Sequence, residues 1–79
     1  MKIRVKLLGL LPREVSSYDT ATGLEIDMPQ GATYGDIITA LSLPPEKAGM
    51  FSVGGILKKR DDYIAEGDEV YIFMPLAGG

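Results

Sequence analysis

An α+β fold, with one main helix packed on one face of a mixed sheet of four to five strands, is predicted by three observations. Two short alternating segments lead the chain, and one amphipathic helical segment sits in the middle. The segment richest in β-branched and aromatic residues comes near the end. Runs of this kind bury one face each, and a two-layer arrangement of helix on sheet is the simplest way to do it.

The first strand is Lys2-Ile3-Arg4-Val5-Lys6-Leu7, in which polar and apolar residues alternate with period 2. Leu8 breaks the alternation, so it falls on the wrong face or marks a bulge. Residues 10–22 contain Pro12 and a polar stretch from Ser16 to Thr22, and read as a long connection. Gly23 to Pro29 alternates again, with Leu24, Ile26 and Met28 inward, and forms an antiparallel hairpin with the first strand.

Thr33-Tyr34-Gly35-Asp36 has the composition of a helix entry: a threonine cap followed by an acidic residue three positions on. Tyr34, Ile37, Ile38 and Leu41 then fall at i, i+3, i+4 and i+7 on one helical face. Pro44-Pro45 ends that pattern, with room for one extra turn over 45–49. Met50 to Val53 is a short strand, Gly54-Gly55 a bend and Ile56 to Lys58 a brief edge strand. Asp61-Asp62-Tyr63 and Glu66-Gly67-Asp68 are turns. Glu69 to Pro75, EVYIFMP, is the strongest strand by composition and pairs beside the first in the sheet centre.

Seventy-nine residues suffice for a single modest core. Residues 1–74 are expected to form the domain and 75–79 a flexible C-terminal tail. No apolar run approaches the ~18 residues of a membrane span, so a cytoplasmic protein without membrane contact is expected. The chain has no histidine and no cysteine, which removes a histidine triad, a thiolate nucleophile, an iron–sulfur cluster and a conventional transition-metal site. Asp61-Asp62 lacks further ligands and reads as a solvent-facing turn, so no metal is expected. A net charge of −3 points away from nucleic acid and toward a protein partner with a basic face. Lys58-Lys59-Arg60 reads as a solvated turn. No glycine-rich phosphate loop with its lysine is present, so no bound cofactor is expected.

The remaining chemical resource is Gly78-Gly79. At a glycine usage of ~7%, two terminal glycines arise by chance only about 0.5% of the time. Glycine has no Cβ, so a narrow channel can close around such a thread without steric penalty. An α-carboxyl ionises at a pKa of about 3.3–3.7 and would be a carboxylate at neutral pH. A carboxylate transfers nothing until another protein activates it. Pro75 sets an extended exit, and Leu76 either anchors the thread in a partner groove or packs back on its own domain. Parity along the last strand, with Val70, Ile72 and Met74 inward, turns Tyr71 and Phe73 outward. With Leu8 and Leu57 they would make an exposed apolar docking patch beside the tail root, or else cover core edges.

On three stretches the chain resembles the ubiquitin-like sulfur carriers of the ThiS/MoaD family. These are Ile3-Arg4-Val5-Lys6-Leu7, Gly31-Ala32-Thr33-Tyr34-Gly35-Asp36-Ile37, and the tail from Gly67. The family commonly reads D-G-D-x-V, an apolar strand, one or two prolines, two residues and Gly-Gly. Here Glu66-Gly67-Asp68-Glu69-Val70, Tyr71 to Met74, Pro75-Leu76-Ala77 and Gly78-Gly79 follow that plan. The family's Val-Asn-Gly turn is Val53-Gly54-Gly55, and Met74 stands where a second proline is typical. The long 10–22 connection is closer to the molybdopterin synthase small subunit branch.

The resemblance implies a β-grasp fold and a carrier that is not itself an enzyme, monomeric when free. It implies that a ubiquitin-activating-like adenylyltransferase uses ATP on the Gly79 carboxylate, which then becomes a thiocarboxylate. Sulfur would pass to a synthase subunit or thiazole synthase, in molybdopterin-like or thiamin biosynthesis. Gly78, Pro75, Leu76 and Ala77 would thread the partner site, while Phe73, Leu57, Leu8 and Tyr71 would dock. The alternatives are a protein modifier joined to lysines through Gly79, or a non-covalent β-grasp interaction domain.

Overall fold

Five strands make one sheet, with a single α-helix against one face, in a computed structural model that describes residues 1–74. In chain order the elements are β1 (Lys2–Leu7), a 3-10 turn (Leu11–Glu14), β2 (Leu24–Asp27), α1 (Tyr34–Ala40), β3 (Met50–Val53), β4 (Ile56–Lys58) and β5 (Glu69–Phe73). The sheet order is β2-β1-β5-β3-β4, so β5 and β1 are neighbours and neither lies at an edge. They run parallel, with Val5 opposite Val70 and Leu7 opposite Ile72, while every other pairing is antiparallel.

Alternation places Ile3, Val5 and Leu7 of β1, Val70 and Ile72 of β5 and Phe51 of β3 on the inner face, all buried. Tyr34, Ile37 and Ile38 of α1 close that layer, and Tyr34 meets Phe51 edge to face at 6.1 Å between ring centroids and 85° between planes. On β2, Leu24 and Ile26 pack half-buried against this core and Met28 is fully buried, the inward set read from the sequence.

The short helix is held at its N-terminus by more than its cap. Thr33 and Asp36 form a capping box, in which the Thr33 N–H donates to Asp36 Oδ2 at 2.9 Å. The Tyr34 and Gly35 N–H groups instead donate to the carbonyls of Asp62 (3.1 Å) and Arg60 (2.8 Å). The turn after β4 thus satisfies donors that a helix start leaves orphaned. A Cβ at Gly35 would sit 2.6 Å from Arg60 Cγ, so only glycine admits this approach.

The end of the last strand is corrected here, and three other readings are made specific. The last strand ends at Phe73, not Pro75, and Met74 is 40% exposed instead of facing the core. Alternation presumes a continuing ladder, but the partner β3 begins at Met50, opposite Phe73, and offers nothing further. The 10–22 connection is more than a linker. Its 3-10 turn drives Leu11 into the core at 1% exposure, and Val15 and Tyr18 pack against it. Asp62 is exposed in its turn, as the sequence suggests, and its Oδ2 accepts from the Lys59 N–H at 2.8 Å within that turn. Leu8 makes no bulge; its N–H still donates to the Ile72 carbonyl at 3.0 Å while its side chain is exposed.

Gly54 and Gly55 both have positive φ (59° and 82°), which the two-residue β3–β4 hairpin requires. After Pro44-Pro45, Lys47 and Ala48 donate back to the Pro44 and Pro45 carbonyls at 2.9 and 3.4 Å. This is the extra turn expected over 45–49, and it buries Ala48 completely.

Candidate functional site

The outer face of the sheet, opposite α1, carries the residues that the alternation turned outward. Register sorts them into rows across the strands. Tyr71 lies between Lys6 of β1 and Ser52 of β3, and Ser52 is in turn opposite Leu57 of β4. One row closer to the end of β5, Phe73 is opposite Met50 and, one step beyond the Leu7–Ile72 pair, beside Leu8.

The structure therefore brings Leu8 and Phe73 together and adds Met50, which the sequence reading did not single out. Met50 has the outward parity opposite to buried Phe51, but only the β3–β5 register shows that it flanks Phe73. Leu57 stands apart from Tyr71, two strands away across Ser52, at a spacing of about 10 Å. Leu8 and Leu57 are 42% and 61% exposed, whereas Tyr71, Phe73 and Met50 are half-buried.

Charge is graded along this face. At the Glu69 end of the sheet, Arg4 Nη2 lies 3.5 Å from Glu25 Oε2 and Lys2 Nζ lies 4.0 Å from Glu25 Oε1. Such exposed pairs contribute about 0–1 kcal/mol, and they serve more to mark a polar rim than to hold the fold. The Tyr71 hydroxyl donates to Glu69 Oε1 at 3.3 Å, and the Glu69 carboxylate raises the Tyr71 pKa above its ordinary value. At the Phe73 end the face is apolar. Met74, the last described residue, leaves from that end, so the apolar patch adjoins the root of the C-terminal segment. Pro75, Leu76, Ala77, Gly78 and Gly79 lie outside the described residues.

A second feature lies at the same root. Leu10, Leu11, Arg13, Glu14, Lys47 and Met74 line a cleft of about 150 Å³ between the 3-10 turn and the end of β5. Lys47 Nζ lies 3.6 Å from Glu14 Oε2 on its wall. Sequence periodicity does not reveal it, because its residues come from a proline-containing turn, a loop and a strand end. Among the described residues no group of three His, Cys, Asp or Glu side chains is placed to hold a metal ion. No helix among them is long and apolar enough to cross a membrane.

The model of the ThiS family matches residues 11–79. The chain belongs to the ThiS family. Among solved structures, SAMP1 from Haloferax volcanii is similar at 24% identity over 100% of both chains, with a TM-score of 0.72. A putative molybdopterin converting factor subunit 1 from Pyrococcus furiosus is 21% identical over 96% of this chain and 99% of its own, with a TM-score of 0.74. A Caldiarchaeum subterraneum ubiquitin is 20% identical over 100% of this chain and 98% of its own, with a TM-score of 0.61. No curated protein matches the sequence significantly. The β-grasp fold expected from the family resemblance is thus the fold observed in this ThiS-family chain.

Proposed function

We propose that this ThiS-family chain is a sulfur carrier working through the carboxylate of Gly79. The observation that carries the reading is the terminal Gly78-Gly79 in a chain of this family, five residues beyond a central strand that ends in an apolar patch. A carboxylate oxygen attacks the α-phosphorus of ATP in an adenylyltransferase of the ubiquitin-activating type, and pyrophosphate leaves. Hydrosulfide or its equivalent then adds to the acyl carbon, AMP leaves, and the chain ends in a thiocarboxylate. The sequence has no histidine, no cysteine and no glycine-rich phosphate loop with its lysine, which supports a reading in which ATP is bound and used on the partner. Leu8, Phe73, Tyr71 and Leu57 are the docking residues, and Pro75 to Ala77 lead the diglycine into the partner.

The acceptor belongs to cofactor biosynthesis: a synthase subunit of the molybdopterin type, or a thiazole synthase. The similarity to a molybdopterin converting factor subunit favours the first. Before docking, the carrier is a cytoplasmic monomer. Intact-mass analysis of the protein made with its activating enzyme and a sulfur donor tests the reading. A single oxygen-for-sulfur exchange on Gly79 is expected; unmodified carboxylate under ATP turnover would sink it.

Similarity to SAMP1 and to an archaeal ubiquitin supports a second reading, conjugation of Gly79 to lysine ε-amines of other proteins. Its search needs a specific design. The last basic residue is Arg60, so trypsin would leave Asp61 to Gly79 on a modified lysine and not a bare diglycine. The mass of that nineteen-residue remnant is the signature to seek.

A further inference from the structure

We propose that the β4 edge of the sheet takes up an extended, acidic segment of a partner protein as a sixth strand. β2 and β4 are the two edges of the sheet, and they differ. On β2, Glu25 pairs with Arg4 and Lys2 at 3.5 and 4.0 Å, and Leu24 and Ile26 are half-buried. That edge is balanced in charge and bares no apolar side chain. On β4, Ile56 and Leu57 are exposed at 62% and 61%. Lys58, Lys59 and Arg60 follow them and make no ion pair among the described residues.

Register shows what this edge offers. The hairpin closes on the Val53–Ile56 pair, and Lys58 is opposite Phe51. Hydrogen-bonded pairs alternate along an antiparallel ladder, so the N–H and C=O groups of Ile56 and Lys58 face β3. Those of Leu57 point away from β3, at the open edge. Lys59 is closed to pairing, because its N–H donates to Asp62 Oδ2 at 2.8 Å and its carbonyl accepts from the Asp62 N–H at 3.1 Å. The open ladder is therefore centred on Leu57. Its flanking side chains lie on opposite faces, Ile56 with Val53 on the α1 side and Leu57 with Ser52 on the outer side. A strand laid alongside covers both at once, which a partner docked on either face alone does not.

Charge selects the occupant. The chain carries a net charge of −3, yet three of its eight Lys and Arg residues are consecutive at this edge. Asp61 and Asp62 follow in the turn, and Asp62 is committed to the Lys59 N–H. A second copy of this chain would bring three more cations to the same seam, and lysines at a strand edge oppose self-pairing. A segment with carboxylates placed toward Lys58 and Lys59 matches the edge instead, with backbone hydrogen bonds to Leu57 and apolar cover for Ile56. Nucleic acid would answer the charges and leave the Leu57 backbone groups unpaired. The edge lies two strands from β5 and does not depend on the carrier reading.

Amide NMR on the full chain tests this, with a short peptide of alternating valine and glutamate as the probe. Saturable shifts centred on Leu57, with slowed exchange of its amide, are expected at millimolar peptide or below. Binding should weaken about tenfold or more when lysine replaces glutamate in the peptide, and equally in a variant carrying Lys58→Glu and Lys59→Glu. Ile56→Ser should weaken it severalfold and N-methylation of the peptide backbone should abolish it, whereas Phe73→Ala should leave it unchanged. Equal binding of the glutamate and lysine peptides overturns the charge assignment, and equal binding of the N-methylated peptide overturns strand addition. The proposal also fails if no saturable shifts occur, if they centre on Tyr71 and Phe73, or if a short single-stranded oligonucleotide binds Lys58 and Lys59 more tightly than the acidic peptide does.

Discussion

The Tyr18 hydroxyl accepts a hydrogen bond from the Leu7 backbone N–H at 2.7 Å, in a place where the sheet has run out of strand. β2 pairs with β1 only as far as Val5 opposite Leu24. Beyond that point the edge of β1 would carry an unpaired donor, and the phenol supplies the missing acceptor from the 10–22 connection. The same contact ties that connection to the strand end that presents Leu8.

Replacing Tyr18 with Phe keeps the ring against the core and leaves the Leu7 N–H without this partner. A loss of about 1–2 kcal/mol is expected from an orphaned, partly buried donor. Urea unfolding would measure it, and amide exchange at Leu7 should accelerate more than at Val5. An unchanged midpoint together with unchanged exchange at Leu7 would show that water replaces the phenol fully.

Alternation located β1 and β2, which each bury one face, and β-branched and aromatic content located β5. The two most apolar strands are adjacent because the sheet centre excludes water on more sides. Alternation also placed Leu8, Tyr71 and Phe73 on one face. It failed at Met74 because parity holds only while a ladder continues, and β3 stops opposite Phe73. It did not foresee Leu11, whose burial depends on a 3-10 turn beside Pro12 with no period to detect. Tyr18 was equally illegible: its partner lies 11 residues away and is a backbone group, which leaves no trace in side-chain patterning.

The Tyr34 hydroxyl donates to Asp68 Oδ2 at 2.8 Å, joining the start of α1 to the turn before β5. Burial, and then the Asp68 carboxylate, push the Tyr34 pKa up from 10.0 to about 12. The folded protein therefore holds this proton more tightly than the unfolded chain. The contribution is complete below pH 10 and is lost as pH rises through 12, so unfolding free energy should fall across that window. Tyr34→Phe should flatten this part of the pH profile, while its stability at pH 7 falls by about 1 kcal/mol. A profile as steep in the variant as in the wild type would assign the loss to other groups.

Gly23 precedes β2 with φ of 75°, and a Cβ built there lies 2.5 Å from the Val5 carbonyl oxygen. Backbone cannot swing aside as a side chain can. Gly23→Ala should therefore cost at least about 1–2 kcal/mol, from left-handed strain and from displacement of β2 against β1. Thermal unfolding would register this as a lower midpoint. Gly54→Ala carries a positive φ without any atom within 4 Å, so it should cost less, and the difference isolates the clash.

Phe73 is the residue through which the proposed docking is best separated from folding. It is half-buried on the outer face between Leu8 and Met50, away from the core formed by Val70 and Ile72. Phe73→Ala should leave the fold intact and lower the kcat/KM for adenylation of the C-terminus about tenfold or more, the scale of an aromatic anchor lost from an interface. Deleting Gly79 should instead abolish adenylation while partner binding persists, because it removes the reacting end and leaves the patch. Pyrophosphate-release kinetics and a binding titration, run on both variants, read the two effects separately. If Phe73→Ala turns over like the wild type, the outer face is not the docking surface, whatever the Gly79 deletion does.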